Sequence, residues 1–316
     1  MQLNHLPLLA LFATTVSAHG YVQQILFGDS LVDTWNPYKD PQKNVNKITR
    51  KFLDNGPVTD GYFTTDAITC NYGAEDQPNN VPVNITAEVA AGDKLTLYWT
   101  DWESDHPGPS LEGIGSSIEF GLVKTICQIP ISPMPEGIFF TSTDILLLLV
   151  QGGENLFLHW AVMTYLASCD GSCEAFSGST GDVWVKIHQA GYDATLDPPW
   201  ASKRLPTQNS TWSVTLPSSI APGEYLLRHE ILGLQRTNTN GSLAQFYPSC
   251  NQITITGSGT TQLPTGIALP GAYQPDDTTS IFLEYRDISA DNPYTAPGGQ
   301  VWGDDGWSDQ QNMAGI

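Results

Sequence analysis

His19 stands directly behind Val16-Ser17-Ala18, whose small residues at −3 and −1 are what a signal peptidase cuts after. A histidine placed at a chain terminus by that cut offers two nitrogens, its α-amine and a ring nitrogen, to one metal ion. The amine has an ordinary pKa of about 7.7–8.0, so a metal displaces its proton easily. His106, in the loop Asp105-His106-Pro107-Gly108-Pro109, supplies a third nitrogen. Three nitrogens in one plane suit Cu(II), which prefers tetragonal N/O ligation and heads the divalent affinity order. Zinc, the competing ion, prefers a tetrahedral set. Taken alone, His106 in a Gly/Pro loop reads as a solvated loop residue. It is His19 behind the cut that gives it weight.

Residues 1–18 are read as a signal peptide, because the apolar run Leu6 to Phe12 is too short to span a bilayer. The n-region has no Lys or Arg, which is unusual for such a segment. The later run Ile145 to Val150 is shorter still, so no membrane partner is expected. Asn84, Asn209 and Asn240 each open an acceptor tripeptide for N-glycosylation, consistent with a secreted, extracellular chain. Thirteen Lys and Arg face 33 Asp and Glu, for a net charge of −20. Such a surface repels nucleic acid and is compatible with a neutral polysaccharide.

The elements that must position these residues are strands. Only 15% of residues are charged, while Gly (29) and Pro (22) are abundant. Short runs at Lys94–Trp99, Val183–Ile187, Ser213–Leu216, Tyr225–Ile231, Gln252–Thr256 and Ser280–Tyr285 are bounded by turn residues. The pattern predicts an all-β, immunoglobulin/fibronectin-like antiparallel β-sandwich with long loops, as a single domain over 19–316. No second cysteine-bearing module follows a linker, and a loose tail is expected from about 298. Residues 110–161 break the texture, with Leu146 to Leu149, three prolines and the odd cysteine Cys127. A structureless loop of that length inside a compact domain is suspect.

Several blocks then fall in order: His19-Gly-Tyr-Val, Asp105-His106-Pro-Gly-Pro, Tyr165-Leu-Ala-Ser-Cys169 and Trp184 to Gly191. They continue with Ala221-Pro-Gly-Glu-Tyr-Leu-Leu-Arg-His-Glu230, Gln245-Phe-Tyr247-Pro-Ser-Cys250, Pro270-Gly-Ala-Tyr273 and Tyr294-Thr-Ala-Pro297. In this order the chain resembles the fungal lytic polysaccharide monooxygenases of auxiliary activity family 9, once glycoside hydrolase family 61. The resemblance covers almost all of 19–316 except 110–161. It implies one copper per chain, held by His19 and His106 with Tyr247 axial, and Gln245 facing the oxygen-binding side. The implied activity is oxidative cleavage of cellulose or related β-1,4-glucans at C1 and/or C4. Dioxygen or hydrogen peroxide is the co-substrate, with an external electron donor (a small molecule or a cellobiose dehydrogenase-like protein). A monomer docking on a glucan surface through a flat aromatic face is expected.

The resemblance also pairs Cys70 with Cys250 and Cys169 with Cys173, a choice that four cysteines alone leave open among three connectivities. Joining Pro109 to Val162 restores the family pattern and removes Cys127, so 110–161 is read as an unspliced intron; a genuine loop there would start three residues after His106 and could mask the metal. The family's usual outer histidine falls here on Gln235, or on Arg236. Glutamine donates a hydrogen bond but no proton near neutral pH, and arginine does not titrate. His229 is read as structural and His188 as a solvent-facing strand residue. A copper- or polysaccharide-binding protein with weak or no catalysis is the alternative. Hydrolysis needs two carboxylates flanking the bond, and no pair stands out.

Overall fold

The computed structural model describes residues 19–43, 45–59, 61–73, 78–100, 159–235 and 243–308, without the side chains of 235, 243, 307 and 308. Two sheets face each other. The first holds β1 (Val22–Phe27), β2 (Ser30–Asp33), β4 (Lys94–Trp99) and β7 (Thr211–Thr215), in the order β2-β1-β4-β7 and antiparallel throughout. The second holds β3 (Ala87–Ala90), β5 (Trp160–Ser168), β6 (Val185–Ala190), β8 (Gly223–Gln235) and β9 (Leu243–Thr256), in the order β3-β9-β8-β5-β6. Its β3–β9 pair runs parallel, the one departure from the antiparallel expectation among the described strands. β1 and β2 join through Gly28-Asp29, where Gly28 takes φ 57, a left-handed turn that glycine enters without steric cost.

Alternation explains the first sheet. Val22, Ile25 and Phe27 of β1 and Leu95, Leu97 and Trp99 of β4 point inward and are buried. They meet Val162, Leu166, Leu227, Ile231, Ile253 and Ile255 of the second sheet in one core. The second sheet is covered on both faces, so β5 is buried along almost its whole length and reads as a continuous apolar run. Its outer face, with Met163, Tyr165, Leu226, Leu232 and Phe246, is covered by α1 (Ala67–Cys70) and by the chain from Ile267 to Ala296. Ser280–Tyr285, expected as a strand, belongs to this cover and forms none: Ile281, Leu283 and Tyr285 are buried against the sheet as irregular chain. Within the tail expected to be loose from about 298, Val301 and Trp302 are buried, in a hairpin of β10 (Val301–Gly303) and β11 (Gly306–Ser308). No helix among the described residues is long and apolar enough to cross a membrane.

The cover is fastened at two places. Arg228 and Glu230 form a buried two-pronged ion pair (2.9 and 2.6 Å), and Arg228 also donates to the carbonyls of Ile68 and Thr69 in α1. Beside it, Cys70 of α1 is bonded to Cys250 of β9, while Cys169–Cys173 closes a turn of four residues. Both pairings agree with the family pattern.

His188 corrects an expectation. It is buried, not solvent-facing, because β6 is covered on both faces, and Trp212 Nε1 donates to its Nε2 at 2.9 Å. His229 is equally buried, with Nδ1 at 2.8 Å from Thr164 Oγ1 and Nε2 without a hydrogen-bond partner among the described residues. Burial pushes both imidazoles down to about 3, the nearby arginines adding to it. Unfolding returns them to about 6.5, so the unfolded chain binds more protons below that pH. Stability is therefore full above pH 6.5 and lost as pH falls, by up to about 1.4 kcal/mol per pH unit for each histidine. Urea midpoints should fall between pH 6.5 and 5, above the carboxylate range, and His229→Gln should flatten that slope. A level midpoint across this window would show that the two imidazoles do not control it.

Candidate metal centre

The site is built at one end of the sandwich, where β1 begins and the described part of β4 ends. Thr100 N–H donates to the Tyr21 carbonyl and Thr100 Oγ1 accepts from Tyr21 N–H. Tyr21 is thus fixed to the sheet, with Gly20 and His19 beyond it. His106 itself lies outside the described residues, as do Arg236, Asn240 and the span 1–18.

Tyr247 comes from β9, in register with Ile231 of β8. Its ring stacks on Trp160 (centroids 5.7 Å apart, planes 14° from parallel) and stands 6.2 Å from the His19 ring at a tilt of 51°. The phenol is buried, and its hydroxyl donates to Gln245 Oε1 at 2.9 Å. Burial moves its pKa well above the usual tyrosine range. At neutral pH it is therefore a protonated phenol whose oxygen is a neutral, weak donor. Gln245 is half-buried two residues before it, on the same face of the strand. His19, Tyr247 and Gln245 are brought together as the sequence suggests.

Gln235 ends the β8–β9 pairing opposite Leu243, two residues beyond the Gly233–Gln245 pair. The structure describes its backbone there and not its side chain. His229 is structural, as expected, in the core between Thr164 and Trp99.

Two residues that sequence reading did not single out belong here. Asn55 Nδ2 donates to the His19 carbonyl at 3.2 Å. Tyr38, 59% exposed, donates its hydroxyl to Asn55 Oδ1 and accepts from the Asn55 backbone N–H. The same loop continues through Leu53, whose N–H donates to the Tyr72 carbonyl, and the Tyr72 ring meets exposed Tyr62 edge-on. A tyrosine and an asparagine seventeen residues apart carry no periodic signal, which is why pattern reading passes over them.

The donor set fits a metal that takes nitrogen in a plane and a weak oxygen along its axis. An imidazole at the end of a strand faces a neutral phenol held by an amide, and no thiolate or carboxylate stands among these residues to favour zinc or calcium. Among the described residues no group of three His, Cys, Asp or Glu converges, so the third protein nitrogen must come from elsewhere in the chain. Sequence reading places it at His106.

Comparison with known proteins agrees. The family model described as Auxiliary Activity family 9 (formerly GH61) matches residues 19–114 and 150–294, more than half of the chain. The chain is 33% identical over 306 residues to AA9 family lytic polysaccharide monooxygenase A of Gloeophyllum trabeum, covering 95% of this chain and 76% of that one. It is also 33% identical to monooxygenase B of the same fungus, over 92% of this chain and 93% of that one. It spans only 45% of the length of monooxygenase C of Geotrichum candidum, at 32% identity. Among solved structures it is similar to a glycoside hydrolase family 61 member, Cel61B of Hypocrea jecorina. That match has a TM-score of 0.62 and 25% identity, over 90% of this chain and all of that one.

Proposed function

The chain belongs to Auxiliary Activity family 9, the copper-dependent lytic polysaccharide monooxygenases, and from that premise we propose that it is secreted, begins at His19 once residues 1–18 are removed, and oxidatively cleaves cellulose or a related β-1,4-glucan at C1, C4 or both. The observation that carries this reading is the buried, protonated Tyr247 phenol beside His19, steered by Gln245. The His19 amine and ring, with the His106 ring, would hold one copper ion, and the Tyr247 phenol would offer it an oxygen. Copper bound there supplies a one-electron centre, reduced by an external donor, at which dioxygen or hydrogen peroxide becomes able to oxidise a C–H bond of the glucan.

The protein's own residues do the rest. Gln245 Oε1 accepts the hydrogen bond of the phenol and so fixes which way its oxygen lone pairs face. Exposed Tyr38 and Tyr62 offer rings on which sugar faces can stack. Asn84 and Asn209 are exposed and accessible to glycosylation. The electron donor is a small molecule or a cellobiose dehydrogenase-like protein, and the working unit is a monomer.

Residues 110–161 are, on this reading, a translated intron. The family match stops at 114 and resumes at 150, inside that segment. Splicing at 109/162 would put Gly108-Pro109 where Trp160-Ala161 now pair with Gly233 and Leu232, and would exchange Trp160 for glycine beside Tyr247. A transcript that retains these codons would sink the intron reading and leave Trp160 in place.

The activity is tested with secreted, copper-loaded protein lacking 110–161, incubated with amorphous cellulose and ascorbate. Aldonic or C4-keto oligosaccharides in the mass spectrum, absent without copper, are the expected result. One position favours a second reading: Gln235, or Arg236, stands where the resemblance implies a proton-donating histidine. Tight copper binding with no oxidised product on any β-glucan would establish a binding protein in place of the enzyme.

A further inference from the structure

We infer that Asn55 is a positioning residue for His19, and that the Tyr38 hydroxyl holds Asn55 in the orientation that does this. The inference rests on the reading that His19 begins the mature chain and carries the metal.

A terminal residue is held from one side only. Here that side is Gly20, which has the widest backbone freedom of any residue, and the sheet first grips the chain at Tyr21. A backbone tether limits how far His19 swings about Gly20 and carries its amine and ring away from Tyr247. Asn55 supplies the tether: its Nδ2 donates to the His19 carbonyl, the backbone acceptor nearest both nitrogen donors. Fixing that carbonyl fixes the peptide plane between His19 and Gly20 and the place of the His19 Cα, which narrows where the amine and ring can reach.

An asparagine amide can face either way, and a reversed Asn55 would set oxygen against oxygen at His19. Tyr38 decides the orientation. Its hydroxyl proton goes to Asn55 Oδ1 at 2.5 Å, while the Asn55 backbone N–H donates back to the same hydroxyl at 3.2 Å. The amide oxygen is thereby committed to Tyr38 and the amide nitrogen turned to His19. Tyr38 is in turn set by its own loop, where the Tyr38 and Lys39 N–H groups both donate to Asn36 Oδ1 and Asp40 accepts from Asn36 N–H. These bonds fix the backbone from which the Tyr38 side chain reaches Asn55.

The test uses the processed wild-type protein and the variants Asn55→Leu and Tyr38→Phe, with Cu(II) alone as probe. Asn55→Leu keeps the branching at Cγ, in a bulkier side chain, and removes the donor. It should weaken Cu(II) binding in calorimetry by about 10–100-fold, as losing an outer partner of a metal ligand does, and should alter the Cu(II) hyperfine pattern in electron paramagnetic resonance. Tyr38→Phe keeps the ring and removes one neutral hydrogen bond, so a loss of about fivefold is expected. Melting temperatures of the metal-free proteins show whether either variant has lost its fold. If Asn55→Leu fails to fold, the Tyr38→Phe affinity and spectrum decide. Wild-type affinity and an unchanged spectrum in a folded variant would overturn the inference. Failure of the wild type itself to bind copper would overturn the metal site and not the tether.

Discussion

Replacing His19 by alanine is expected to remove tight copper binding and, with it, every oxidised product. The substitution leaves an α-amine but takes away the ring nitrogen that closes the chelate. It should therefore cost more than the roughly 10–100-fold in metal affinity that follows from losing a partner outside the ligand set. Tyr247→Phe makes the useful contrast. The protonated phenol is a weak axial donor, so copper should remain bound while the spectrum of the ion shifts. A third variant isolates the amine: one extra residue left in front of His19 keeps the imidazole and blocks the terminal nitrogen. It should be nearly as damaging as His19→Ala, although no side chain has changed. If His19→Ala binds Cu(II) like the wild type in calorimetry, the site built around residue 19 is wrong.

How far this site could be read without coordinates depends on the residue. His19 was legible because a cleavage pattern and a metal-chelating group coincide at one position. Tyr247 and Gln245 were legible only through the order of blocks, since alternation on a strand gives them a shared face but no chemistry. Asn55 and Tyr38 were not legible at all. They act through two loops that meet in space, and loop geometry leaves no period in the sequence.

The fold shows the same division. Lys94–Trp99 was placed to the residue because one of its faces is wet and it alternates. The second sheet is covered on both sides, which erases alternation. Hence Gln252–Thr256 captured only the end of β9, and His188 was taken for a surface residue. Ser280–Tyr285 erred the other way, its alternation recording burial of irregular chain against that sheet. The two errors have different causes: Ser280–Tyr285 belongs to an extra layer of chain from Ile267 to Ala296 that composition does not announce, whereas His188 is turned inward onto Trp212 past a register shift in the β5–β6 pairing.

That layer also sets the second large effect. Replacing Cys70 and Cys250 together by serine is expected to lower the melting temperature by roughly 10 °C or more, while Cys169 and Cys173 replaced together should cost far less. The first bond joins residues 180 apart, and chain entropy assigns a closed loop of that length about 5 kcal/mol. The second spans four residues and is worth about 2 kcal/mol in the same treatment. For a domain of this size each kcal/mol moves the midpoint by about 2–4 °C. The metal site should be less affected than the stability. Cys250 lies three residues from Tyr247, but its carbonyl also accepts from Arg50 N–H, and α1 remains tied to the sheet through Arg228. Folded protein lacking the first disulfide should therefore bind copper within about tenfold of the wild type, less than the loss of an outer partner of a ligand brings at its upper range. Differential scanning calorimetry and copper titration on the two double variants separate these outcomes. Equal melting temperatures for both would mean that loop closure is not what Cys70–Cys250 contributes. A collapse of copper affinity in protein that still melts cooperatively would mean that the bond, and not the strand pairing with β8, holds Tyr247 in place.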